Sequence, residues 1–150
     1  MICDGSCQAE LLDALSANLK AEQAIKALVL TGSLADDAVV PDAWRDVDMT
    51  VIVVDGAVDE LTSQRPWLSG LGDVLGLGRH DSPRGATLGI CLAPARRIDT
   101  TLARDSVLRE AATQEETTAN RAHKLLWSKS PGWVRLSHAS SRNPRSAAYP

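Results

Sequence analysis

Aromatic residues are scarce in this sequence, which has no phenylalanine, one tyrosine and four tryptophans among 150 residues. Leucine, valine and alanine must therefore build the interior of what is, by length, one domain with a proper core. We predict that Trp67 and Leu68 anchor that core. No apolar run approaches the length of about 20 residues that a membrane-spanning helix needs, and the N-terminus lacks a charged-then-apolar signal segment. We expect a cytoplasmic protein with no membrane partner.

Cysteine is also rare, with Cys3, Cys7 and Cys91 as its three positions. Three cysteines at these spacings do not make a disulfide framework, and no Cys-x-x-Cys or His-x-x-x-His pair accompanies them. A zinc site is therefore not expected. We predict that Cys91 is a small buried hydrophobic residue.

Acidic residues are absent after Glu116, whereas six of the sixteen basic residues lie from Arg121 onward. The last stretch is rich in Ser, Pro and Arg and cannot bury enough apolar surface to order itself. We predict a folded domain over 1–127 and a disordered basic tail over 128–150. Such a tail could touch nucleic acid or the acidic face of its own domain. An inert solvated tail is the preferred interpretation, so nucleic acid is not an expected partner.

The stretch from residue 27 to residue 55 carries the features that point to chemistry. Its apolar run over 27–30 predicts a short buried strand, and the run over 49–54 predicts a central strand covered on both faces. Asp46 and Asp48 stand at the mouth of the second strand, and residues two apart in an extended chain point the same way. Carboxylates held that close repel, and a shared proton or a divalent cation relieves the repulsion. Oxygen ligands of this kind suit Mg²⁺.

Gly32 and Ser33 follow the first strand and supply the complementary half of such a site. The glycine permits a sharp turn close to a ligand, and Ser33 is placed to cap a short helix over 34–36 whose free N–H groups would face an anion. Phosphates held there and metals held by the aspartates would clamp one triphosphate. The alternative is a plain turn followed by a solvated Asp-x-Asp loop.

Periodicity and turn residues predict further elements on both sides of this stretch. They are an amphipathic helix over 8–21, a short helix opened by Asp59 and Glu60, a weak strand over 73–77, a turn holding His80, strands over 86–93 and 97–103, and a helix over 105–127. The short connection between the last two strands favours an antiparallel hairpin.

Asp99 lies inside the strand predicted over 97–103, where a buried carboxylate needs a partner. One interpretation is a salt bridge to Arg96 or Arg97. The other places Asp99 on a strand beside Asp46 and Asp48, which would make a cluster of three carboxylates.

The order of these motifs resembles the nucleotidyltransferase superfamily with the DNA polymerase β-type palm. More closely, it is similar to the aminoglycoside 6-adenylyltransferases, also called streptomycin adenylyltransferases. The similarity runs from about residue 11 to residue 104 and departs at Leu34, where the family commonly has arginine. The matching motifs are Gly32-Ser33, Pro41-Asp42, Asp46-Val47-Asp48, Val53-Val54-Asp55, Trp67-Leu68, Gly72-Asp73 and Arg97-Ile98-Asp99-Thr100-Thr101-Leu102.

This resemblance implies an α+β palm fold, with a mixed sheet of about five strands flanked by helices. It implies ATP-dependent transfer of AMP to a hydroxyl of a streptomycin-like aminoglycoside, with two Mg²⁺ ions. Gly32 and Ser33 would bind the triphosphate, and Asp46 and Asp48 would hold the metals. Asp99 would complete the metal site or take the proton from the acceptor hydroxyl.

The resemblance also implies a large helical C-terminal domain that helps to bind the drug, and we expect that this sequence lacks a counterpart of it. Three alternatives would explain the missing domain. The chain is a truncated gene product, its domain is completed by a second copy or a helical partner, or it is a minimal nucleotidyltransferase that acts on a partner protein. A non-catalytic palm-domain remnant is a further one. We therefore expect ATP binding with weak or no transfer to streptomycin by the isolated chain.

Overall fold

A computed structural model describes residues 5–32, 46–107 and 123–129 of the chain. The elements are α1 (Gly5–Lys20), β1 (Ile25–Thr31), β2 (Val47–Val53), α2 (Val58–Gln64), β3 (Val74–Ser82), β4 (Gly85–Leu92), β5 (Arg96–Arg104) and β6 (His123–Ser128), with short 3-10 helices at Asp55–Ala57 and Pro66–Leu68. Over these residues the fold is a six-stranded mixed sheet in the order β3-β4-β5-β2-β1-β6, with helices packed on one side. Strands β2 and β5 are parallel and every other neighbouring pair is antiparallel.

Strand β2 lies in the middle of the sheet, between β5 and β1. Because strand residues alternate between faces, Val47, Met49 and Val51 project into the core, where all three are buried. Asp48 and Thr50 project from the opposite face and are half-buried. The chain therefore separates its hydrophobic packing from its polar chemistry by alternation along one strand.

The core lies between the sheet and the two helices. Leu11, Leu15 and Leu19 of α1 are spaced one helical turn apart and are all buried in it. Trp67 is fully buried and donates a hydrogen bond from Nε1 to the carbonyl oxygen of Leu61 at 2.9 Å. Trp67 therefore anchors the core, as predicted, and its polar N–H is satisfied.

The α+β fold class is confirmed, although the sheet has six strands. The first helix, the two strands around the acidic motif, the short helix with Asp59 and Glu60 in its first turn and the β4–β5 hairpin all form. The prediction of one helix over 105–127 was wrong at its end, because residues 123–128 form β6. Polar and apolar residues are mixed there, and pairing with the edge of β1 satisfies backbone groups that a solvent-exposed edge would leave open.

Two predictions about single residues were also wrong. His80 is not in a turn: it pairs with Thr87 in the β3–β4 hairpin, whose strands continue to Ser82 and Gly85. Cys91 is exposed, because its position in β4 projects away from the core while its neighbours Ile90 and Leu92 project into it. Pairing with β4 decides the outcome for His80, and the alternation along β4 decides it for Cys91.

Several predictions concern residues outside the described ranges. These are the helix capped by Ser33, the Pro41-Asp42 motif, the middle of the helix predicted over 105–127, and the tail from residue 130 onward. In the described part of the chain, no helix is both long enough and apolar enough to cross a bilayer.

Candidate active site

The face of the sheet opposite the core carries a row of residues on four adjacent strands. Asp48 pairs with Asp99 on the parallel strand β5 and with Thr31 on β1, and Asp99 pairs in turn with Gly89 on β4. Paired residues on neighbouring strands project from the same face, about 4.8 Å apart. The register therefore places the carboxylates of Asp48 and Asp99 side by side.

Asp46 and Arg97 lie one step further along the same two strands. The first β2–β5 pair is Val47 with Ile98, so Asp46 lies level with Arg97. Arg97 Nη2 is 3.2 Å from Asp99 Oδ1, and its Nε is 3.3 Å from both oxygens of Asp99. The same Nε is 3.5 Å from Asp46 Oδ2. One guanidinium thus contacts two of the three predicted site carboxylates.

The electrostatics of Asp46 reflect this crowding. The pKa of Asp46 is raised above its ordinary value, mainly by partial burial and secondly by repulsion from the Asp99 carboxylate. The positive charge of Arg97 offsets part of this rise. Asp99 contributes to the rise through its side chain as well as through its charge. A cation bound beside Asp46 and Asp99 would relieve this repulsion and would therefore lower the electrostatic free energy of the folded chain.

Gly32 closes the site at the end of β1. It adopts a positive φ of 73°, which costs glycine little and other residues more. A Cβ built on Gly32 would collide with Asp48 Oδ2 and would lie 3.1 Å from both Cβ and Cγ of Asp48. Glycine is therefore required at position 32 for two reasons: its backbone conformation is left-handed, and a side chain there would collide with the Asp48 carboxylate.

A second row of polar residues, which sequence reasoning missed, lies next to the carboxylates. Thr101 pairs with Thr50 on one side and with Thr87 on the other. The hydroxyl groups of Thr87 and Thr101 are 3.1 Å apart and share a hydrogen bond. Alternation signalled this row, since Thr101 lies two residues after Asp99 and Thr50 two residues after Asp48.

The structure brings together four of the predicted site residues and leaves one untested. Gly32, Asp46, Asp48 and Asp99 lie on one face at the same end of three neighbouring strands. Ser33 lies outside the described residues. The two interpretations of Asp99 are not exclusive, because it both pairs with Arg97 and adjoins Asp46.

Asp55, the last residue of the motif, has a different position and a structural role. Its Oδ1 accepts a hydrogen bond from the backbone N–H of Ser106 at 3.1 Å, and its Oδ2 accepts one from the Ser106 hydroxyl. These bonds lower the pKa of Asp55 below its ordinary value. Asp55 therefore holds the chain that leaves β5 against the end of β2.

The donor set fits a hard divalent cation in its chemistry. Three carboxylates project from one face, and Mg²⁺ prefers such oxygens while keeping positions for water and phosphate. Within the described ranges, however, no three His, Cys, Asp or Glu side chains converge closely enough to hold an ion. Asp46 and Asp99 instead share Arg97.

Comparison with known proteins agrees with this fold. It is the nucleotidyltransferase fold seen in the crystal structure of an aminoglycoside 6-adenyltransferase from Bacillus subtilis, with a TM-score of 0.52 and 15% sequence identity. The match covers 71% of this chain and 38% of that one, so this chain spans well under half of that relative's length. The family model described as Streptomycin adenylyltransferase matches residues 7–131, and the chain belongs to that family. None of the curated proteins matches it.

Proposed function

We propose that this chain binds ATP and that, in isolation, it transfers AMP only weakly to a hydroxyl group of streptomycin or a related aminoglycoside. The observation that carries the proposal is the pairing of Asp48 with Asp99 on parallel strands, with Gly32 fitted against Asp48. Adjacent carboxylates beside a glycine turn suit a triphosphate whose charge is neutralised by cations. Family membership supports the class of reaction.

In this proposal each residue has a defined task. Gly32, together with Ser33, lets the backbone approach the triphosphate closely. Asp46 and Asp48 would hold Mg²⁺. When bound, the cation would neutralise negative charge on the phosphates and on the attacking and leaving oxygens. Asp99 would complete the metal site and also accept the proton of the acceptor hydroxyl. The hydroxyl oxygen forms a bond to the α-phosphorus, the bond from that phosphorus to the bridging oxygen breaks, and pyrophosphate leaves with the electron pair.

The charge of the chain favours a cationic acceptor. Residues 1–120 contain all nineteen acidic residues and ten basic ones, a net charge of −9. Aminoglycosides are polycations, and a field of this sign raises their local concentration and steers their approach. A cytoplasmic location, as predicted above, would supply the ATP. The attraction selects a class of acceptor and leaves the choice among aminoglycosides to direct contacts.

The test combines nucleotide binding with turnover. ATP with Mg²⁺ should raise the melting temperature of the wild-type chain, because a ligand of the native state stabilises it. Asp48→Asn should abolish that shift. Asp59→Asn is the matched control: it removes the same charge from a side chain that is 84% exposed and pairs with Arg79 on β3, away from the site.

Turnover is then measured as pyrophosphate release with ATP and Mg²⁺, with and without streptomycin. Release that depends on streptomycin and disappears in Asp48→Asn would support the whole proposal. Binding of ATP without release in the presence of any aminoglycoside would refute the acceptor. An equal melting shift in Asp48→Asn would place the nucleotide and metal elsewhere and refute the site.

A further inference from the structure

The guanidinium of Arg97 contacts two carboxylates of the candidate site. In the described part of the chain its hydrogen bonds all run to Asp99, and its ion pairs run to Asp99 and Asp46. Asp99 lies two residues away on the same strand β5, and Asp46 lies directly before the neighbouring strand β2. Its position is therefore set by the charge of the site.

The oxygens that Arg97 contacts are the ones a metal would need. Its nitrogens lie 3.2–3.5 Å from both oxygens of Asp99 and from Oδ2 of Asp46. Mg²⁺ binds carboxylate oxygens at about 2.0–2.1 Å and keeps a shell of water around its other positions. A guanidinium at hydrogen-bond distance from those oxygens would overlap that shell and repel the ion. Arg97 and a divalent cation therefore compete for the same carboxylate oxygens of Asp46 and Asp99.

We propose that Arg97 is a built-in counter-ion that occupies Asp46 and Asp99 in the metal-free chain and has to leave them before a divalent cation binds. This inference rests on the proposed function, since it takes these carboxylates as metal ligands. It gives Arg97 a regulatory role, because the residue sets the cation concentration at which the site fills.

The exposure of the three side chains makes such an exchange feasible. Arg97 is 52% exposed, and the side chains of Asp46 and Asp99 are 38% and 30% exposed. Ion pairs between solvent-accessible groups contribute little, so breaking them costs little. A free Arg97 would remain beside the site, where it could turn toward the phosphates of a bound nucleotide.

The experiment is a titration of the nucleotide-free chain with Mn²⁺, with free Mn²⁺ followed by electron paramagnetic resonance. Arg97→Gln should bind Mn²⁺ on the order of tenfold more tightly than wild type, as Coulomb's law gives for removing a unit charge about 5 Å from a divalent ion in water. Arg97→Lys retains the charge but loses the planar fork, and its affinity should lie between the two.

Arg79→Gln is the matched control for net charge. Arg79 also pairs with two carboxylates, Asp59 and Asp81, but it lies on β3 at the edge of the sheet. Its replacement removes the same charge and should change Mn²⁺ affinity less than twofold. The double variant Arg97→Gln/Asp48→Asn should lose the tighter binding, which would place the ion on the site carboxylates. Melting curves establish that each variant folds.

The outcomes separate the two proposals. If wild type binds Mn²⁺ and Arg97→Gln binds it no more tightly, the counter-ion role is refuted and the metal site stands. Equal tightening in Arg97→Gln and Arg79→Gln would also refute it, since the effect would be one of overall charge. If neither wild type nor Arg97→Gln binds Mn²⁺ without nucleotide, Arg97 does not control cation binding and the counter-ion role is refuted, whereas the melting shift with ATP and Mg²⁺ decides the proposed function separately.

Discussion

Gly32 at the end of β1 lies against the carboxylate of Asp48 on β2, so closely that a methyl group on Gly32 would occupy the place of Asp48 Oδ2. The two residues come from strands that are neighbours in the sheet, where Thr31 pairs with Asp48. The conformation of the turn and the direction of the acidic side chain therefore depend on each other.

Gly32→Ala should disturb both features. The left-handed conformation should cost about 1–2 kcal/mol of stability, and the added methyl group should push the Asp48 carboxylate out of its place. We expect a lower urea midpoint and loss of the melting shift that ATP with Mg²⁺ gives. Gly56→Ala is the control, because a Cβ there meets no atom within 4 Å. If Gly32→Ala retained the full shift, the proposed tight fit between the two residues would be wrong.

Asp46→Asn should stabilise the metal-free chain at neutral pH. Since burial and Asp99 raise the pKa of Asp46, the folded state favours the protonated form. The protonated Asp46 side chain therefore adds to the free energy of unfolding at low pH. This contribution is lost as the pH rises from the pKa of Asp46 in the unfolded chain, about 3.9, through its raised pKa in the folded chain.

The measurement is the melting temperature from pH 3 to pH 8 with a chelator present. Asp46→Asn should melt above wild type at pH 7, and the difference should shrink below about pH 4. A variant that melts below wild type at pH 7 would show that the ion pair with Arg97 outweighs the burial and the repulsion. Stability and function are then opposed at this position, as expected of a site built to receive a cation.

Asp55→Asn should have the opposite dependence on pH. The hydrogen bonds from Ser106 lower the pKa of Asp55, so its contribution is fully present above the unfolded pKa and is lost as the pH falls through the lowered folded value. We expect a lower melting temperature than wild type at pH 7 and convergence of the two at low pH. Ser106→Ala removes only the hydroxyl bond, since the backbone N–H of Ser106 remains, so it should lose part of the stability that Asp55→Asn loses, and the double variant should lose no more than Asp55→Asn alone.

Most of the candidate site could be predicted because strand alternation is a local property. The order of residues alone predicts that Asp46 and Asp48 share a face and that a strand surrounds Asp99. It does not predict the register that sets Asp99 beside Asp48, since that register depends on how two strands distant in sequence pair with each other. The double pairing of Arg97 was open for the same reason.

The wrong predictions have different physical causes. Residues 123–128 are too few to choose between helix and strand by themselves, and their pairing with β1, a tertiary contact, decides the matter. Cys91 looks buried by its chemistry, yet the alternation in β4 gives the core positions to Ile90 and Leu92.

The last prediction concerns the core that supports the site. Trp67 is fully buried, and its indole N–H is bonded to the Leu61 carbonyl. Trp67→Phe leaves that buried carbonyl without its partner and should cost about 1–3 kcal/mol, whereas Trp67→Ala should cost about 3–5 kcal/mol because it also leaves a cavity. Leu75→Ala, at a side chain that is 66% exposed, should change stability by less than about 0.5 kcal/mol. Urea unfolding gives all three values, and an equal cost for Trp67→Phe and Leu75→Ala would show that Trp67 does not anchor the core.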